Sequence, residues 1–190
     1  MIDVSNVERL VLELSTDSFD PVKNFNIALE YERLNQTSSA AFFYLRAAEW
    51  GIDTHPLVAY TSLLKMSLCY GRQVNRENTV ASSLLHAVTF MPHRPEGQFL
   101  LARYYERNRK WQEAYTTTSA GLMFATNTYN NPLPAYVEYN GIYCLLFEKA
   151  VAGWWLGQKD ESKQIFDDLL ANYEISSEYK VAIQNNLTLF

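Results

Sequence analysis

Three tripeptides, Tyr31-Glu32-Arg33, Tyr70-Gly71-Arg72 and Tyr105-Glu106-Arg107, recur at spacings of 39 and 35 residues, each near the end of an apolar helical run. Periods of this size belong to stacked helical hairpins, in which each unit needs its neighbours to complete a core. The first and third matches extend further, to Ala28-x-x-Tyr31-Glu32-Arg33 and Ala102-x-x-Tyr105-Glu106-Arg107.

The apolar spacing supports the same division. Val7, Leu10, Val11 and Leu14 form one face of a first helix over about 5–15. Pro21 opens the next helix, where its missing N–H costs nothing. Hairpins are expected over about 21–51, 56–92, 95–125 and 136–171, with the first helix of the fourth running from about Tyr136 to Leu156. Gly51 is placed to cap the first hairpin in a left-handed conformation, and Ser177 to cap a last helix over about 177–188. Thr126 to Pro134 reads as a long irregular segment. All six prolines fall at helix starts or junctions, and no useful length alternates with period two, so strands are not expected. The 190 residues are expected to form one helical-repeat domain.

Ala28, Tyr31, Ala40, Tyr44 and Ala47, and again Ala102, Tyr105, Ala114 and Gly121, resemble the small-aromatic-small signature of a tetratricopeptide repeat. Small residues let the paired helices approach, and the ring fills the gap between successive hairpins. Ser67, Tyr70, Val80, Leu84 and Ala87 match more loosely, with one residue inserted in the turn. In the fourth hairpin Gly153 stands where the ring is expected. The usual first-helix tryptophan is replaced by Asn24, Leu63, Gln98 and Leu146. The resemblance implies an all-α, right-handed α-α superhelix and a non-catalytic module that binds proteins or peptides. Separately, Arg94-Pro95-Glu96, Leu101 to Tyr105 and Trp154-Trp155-Leu156-Gly157 look like the helical segments attached to family-2 glycosyltransferases. That likeness implies an accessory role beside a transferase, although the Asp-x-Asp metal motif of such enzymes is absent from the chain.

The sequence offers little for catalysis. His55, His86 and His93 follow no metal-ligand spacing, and no phosphate-binding loop or Gly-x-Ser-x-Gly occurs. Asp160 and Glu161 suit a helix N-terminus. No catalytic residue, metal site or cofactor is therefore expected. The net charge of −5 argues against non-specific nucleic-acid binding. Cys69 and Cys144 lie in apolar helical stretches and read as core residues of a reducing compartment. With no secretory signal at the start and no apolar run long enough to span a membrane, the cytoplasm is expected.

Binding residues are suggested by steps of four along the first helices: Phe25-Leu29-Arg33, Leu64-Leu68-Arg72, Phe99-Arg103-Arg107 and Phe147-Val151-Trp155. Side by side, these stripes make an apolar row of Phe25, Leu64, Phe99 and Phe147 beside Arg33, Arg72, Arg103, Arg107 and Trp155. Arginine suits capture of carboxylate or phosphate, and rings supply anchoring area. The expected partner is an extended peptide or protein segment with acidic groups. Two other readings stand beside it. The arginines complement helix dipoles in the last turns, and the rings are covered by the last helix or by a second copy in a homo-oligomer.

Overall fold

The computed structural model describes residues 5–125 and 132–190, and within them all regular structure is helical. In chain order the helices are α1 (Ser5–Ser15), α2 (Pro21–Arg33), α3 (Thr37–Gly51), α4 (Pro56–Gly71), α5 (Glu77–Phe90), α6 (Pro95–Arg107), α7 (Trp111–Leu122), α8 (Ile142–Trp155), α9 (Lys159–Asn172) and α10 (Ser177–Leu187). They fall into two compact units, one of residues 5–92 with 132–137, the other of 93–125 with 138–190.

In the first unit α2 and α3 pair, α4 packs on α3 and pairs with α5, and α1 covers α2. Prolines begin α2 and α4. The Asp20 carboxylate accepts from the backbone N–H groups of Val22 and Lys23, satisfying two of the donors a helix start leaves open. Ala28, Ala40, Tyr44 and Ala47 are all fully buried, as the spacing of small residues and rings requires. The Tyr31 ring stacks on Phe43 at 5.5 Å. Gly51 differs from expectation. It is still helical, and a Cβ there would lie 3.3 Å from that of Pro21 and 3.4 Å from that of Ala59. Its smallness serves the close approach of the neighbouring helix starts.

In the second unit α6 pairs with α7, α8 packs on both and pairs with α9, and α10 covers α9. Gly121 is needed because a Cβ there would stand 2.9 Å from that of Gln98 and 3.1 Å from the Leu145 methyls. The fourth hairpin lacks its expected ring for a visible reason. A Cβ on Gly153 would meet Ser162 Oγ at 2.8 Å and the Tyr115 ring at 3.4 Å, so Tyr115 of α7 occupies that space from the other side. The first helix of this hairpin starts later than the expected Tyr136, at Ile142. Glu138 and Gly141 take positive φ angles of 65° and 129°. A helix cannot include either conformation. The α10 cap is Ser176, one residue earlier than expected, whose Oγ accepts from the Tyr179 N–H. Part of the expected irregular segment, residues 126–131, lies outside the described residues.

All four hairpin turns use one left-handed residue: Asn35, Asn75, Arg109 and Gly157. After three of them the next N–H returns to the carbonyl of Tyr31, Tyr105 or Gly153 at 2.8–2.9 Å. The left-handed residue follows Tyr31, Tyr105 and Gly153 by four positions and Tyr70 by five, which locates the inserted residue in the second turn. Gly153 therefore holds the backbone position of the repeated tyrosine. With the register fixed this way, Ala102, fully buried on α6, has no room for a larger chain. Ala102→Leu should lower stability by roughly 1–3 kcal/mol through overpacking. Thermal unfolding checks it, and an unchanged midpoint would contradict the register.

Candidate binding surfaces

Phe25, Leu64 and Phe99 are core residues, not surface ones. Phe25 packs on Tyr44 with ring centroids 5.8 Å apart, and Leu64 and Phe99 are fully buried. These three support a surface from below and cannot touch a partner. Phe147 is half-buried beneath the last helix, with the Tyr179 ring at 5.0 Å and Phe166 at 5.8 Å. What remains for contact are the arginines and Trp155.

In the first unit these arginines converge on carboxylates of α2. Arg33, with its side chain 60% exposed, makes a forked pair with Glu30 three residues earlier, Nη2 to Oε1 at 2.6 Å. Glu32 is shared more widely. Its side chain is only 12% exposed, and it accepts from Tyr44 Oη at 2.7 Å. Lys65 Nζ of α4 approaches at 3.0 Å, and Arg72 Nη2 at 3.4 Å. Burial and the Glu32 hydrogen bond hold the Tyr44 phenol protonated far above its usual range, so it stays a donor. Burial likewise pushes the Cys69 thiol up to about 11, which keeps it un-ionised. Two cations thus meet one carboxylate. Lys65 is largely buried, so the surplus positive charge reaches solvent through Arg72, 45% exposed.

In the second unit Arg103 lies over the buried Phe99 ring, 5.5 Å from its centroid, where the ring face attracts a cation. It pairs with Glu138 at 2.9 Å and approaches Glu148 at 3.8 Å. Arg107 is exposed at the end of α6. Trp155, 57% exposed, stacks flat on Trp111 at 5.0 Å and meets Trp154 edge-on. Beside it Val151, Trp154, Phe166, Leu189 and Phe190 line an apolar cavity of about 380 Å³ with Asn186 as its one amide. Asp160 and Glu161 both lie in the first turn of α9, as expected, and Glu161 has further partners. It accepts from Lys149 at 2.8 Å and from Tyr115 at 2.7 Å. Those bonds hold its carboxyl below the ordinary range.

The spacing along one helix revealed none of the carboxylates that organise these arginines, because each pairing except that of Arg33 joins residues far apart in sequence. The short motifs behind the transferase likeness have structural explanations here. Arg94 and Glu96 form a buried ion pair at 2.5 Å at the start of α6, and Gly157 supplies a turn at φ 82°. Among the described residues no group of three His, Cys, Asp or Glu could hold a metal ion, and no helix is long and apolar enough to cross a membrane.

No family model and no curated protein matches the chain. Solved structures do. PilW, described as a widely conserved type IV pilus biogenesis factor, aligns with a TM-score of 0.68 at 17% identity, over 93% of this chain and 73% of its own. PilF of Pseudomonas aeruginosa aligns with a TM-score of 0.66 at 15% identity, over 94% of this chain and 72% of its own. A thermophilic TPR protein of Thermus thermophilus gives 0.59 at 14% identity, over 96% and 89%. These likenesses define the class of fold: an all-helical tetratricopeptide-type solenoid. They lend no support to the glycosyltransferase-associated resemblance.

Proposed function

We propose that this chain is a non-catalytic cytoplasmic scaffold that binds an extended peptide or protein segment carrying acidic groups. The observation that carries this reading is the Lys65–Glu32–Arg72 cluster, which leaves one positive charge at the surface of a chain whose net charge is −5. Arg72 is tethered at one nitrogen, so less freedom is lost when an incoming carboxylate pairs with it. Arg33 in the same unit, and Arg103, Arg107 and Trp155 in the second unit, extend the reading to each unit's own surface. The apolar cavity next to Trp155 suits one large apolar side chain of the bound segment. Fluorescence anisotropy with extended acidic, neutral and basic peptides tests it. Acidic peptides should bind best and weaken as salt rises; equal binding of basic peptides would contradict the proposal.

The face formed by α3 and α5 favours a second reading, self-association. Leu45 and Ile52 are exposed there. They surround a shallow cavity of about 150 Å³ that also reaches Leu63, Met66 and Phe90. Exposed apolar surface of this kind can be sealed by a second copy. Sedimentation velocity over a concentration series separates the two: a dimer abolished by Leu45→Glu supports self-association, and a monomer throughout removes it.

A further inference from the structure

The repeat register sets two cross-hairpin pairs in correspondence. Glu32 and Glu106 each follow the repeated tyrosine by one residue, and Lys65 and Glu148 each precede Tyr70 or its equivalent, Gly153, by five. In the first unit this pair is a carboxylate and an ammonium at 3.0 Å. In the second it is two carboxyl groups, facing each other between the packed helices α6 and α8. The Tyr44 phenol that serves Glu32 also has no counterpart, because Thr118 stands at that position and donates to the Ala114 carbonyl.

Two ionised carboxylates cannot share a hydrogen bond, since neither has a proton to donate. Glu148 is 6% exposed, and Oε1 of Glu106 is buried without a protein partner. The charges facing the pair are few. Arg103 Nε stands 3.8 Å from Glu148 but is also engaged by Glu138, and Arg107 lies at the exposed end of α6. From α8 and α10 come Cys144 and Tyr179, both held neutral chiefly by burial. We propose that Glu106 and Glu148 share one proton as a latch between α6 and α8, and that loss of this proton as pH rises loosens the second unit.

The sign follows from the reference state. The unfolded chain releases these protons near about pH 4.3, the ordinary glutamate range. Burial and the neighbouring carboxylate make the folded chain keep one to higher pH. Between those limits the folded state binds more protons, so stability falls as pH rises. Once the pair ionises fully, two buried like charges face each other across α6 and α8.

Thermal unfolding of the full chain, followed by tryptophan fluorescence, tests the latch. The wild-type midpoint should fall by about 4 °C or more between about pH 5.5 and about pH 8.5. Glu148→Gln keeps the shape and a donor for Glu106 without the shared proton, and should flatten that fall while raising the midpoint at the higher pH. An equally steep fall in the variant would overturn the proposal. Carboxyl-carbon NMR of the wild-type chain gives a reading independent of any variant. A glutamate carboxyl titrating above about pH 6 supports the latch, and titration of every glutamate in the ordinary range overturns it.

Discussion

Phe166→Ala should destabilise the second unit by about 3–5 kcal/mol, the range for deleting a large ring from a packed core. Phe166 is 1% exposed and belongs with Ala150, Leu169, Ile175 and Ile183 to the cluster that joins α8, α9 and α10. Its ring also meets Phe147 at 5.8 Å and forms the floor of the cavity beside Trp155. Neighbouring rings cannot collapse into the space without leaving their own contacts, so a void remains. Trp111, Trp154 and Trp155 all lie in this unit, so denaturation followed by tryptophan fluorescence reports the loss. A loss below about 1 kcal/mol would mean that the three helices are not packed as described.

Lys65→Met should cost about 2–4 kcal/mol, somewhat below the loss expected when a buried pair loses one partner entirely. Methionine keeps most of the bulk of the lysine stem, so the effect isolates the charge. Glu32 would retain the Tyr44 hydroxyl at 2.7 Å and Arg72 at 3.4 Å, which limits the damage. Adding Glu32→Gln should recover much of the loss, because no uncompensated buried charge then remains. Chemical denaturation of the two variants checks both statements. An additive double variant, worse than either single change, would show that Lys65 and Glu32 do not act as a pair.

The hairpins were legible because their determinants are local. Prolines start α2, α4 and α6, and small residues recur where helices touch. The late start of α8 was less legible, since it depends on the positive φ of Glu138, a residue type that does not announce it. The candidate site was legible only in its arginines. A step of four along one helix defines a stripe but cannot say how many sides of the helix are covered. Each of these first helices meets both its partner and a neighbouring hairpin of its own unit, so the buried face is wide enough to take in Phe25, Leu64 and Phe99. The replacement of the first-helix tryptophan by Asn24 became intelligible only in three dimensions. Its amide donates to the Ser18 and Asp20 carbonyls, tying down the turn before α2. The Glu32 cluster needs α2, α3 and α4 together, and periodicity within one helix carries no record of it.

Whether these arginines hold an acidic segment is tested most directly by calorimetric titration. An acidic peptide selected by anisotropy would be titrated, at low salt, into the wild-type chain and into the double variant Arg72→Ala with Arg107→Ala. Both side chains are substantially exposed, and Glu32 keeps Lys65. The double change should therefore cost at most about 1 kcal/mol of stability per residue. Binding should weaken about tenfold or more, which corresponds to roughly 1.4 kcal/mol, in a variant that remains folded. Equal affinity for the two proteins would contradict an arginine-held acidic segment.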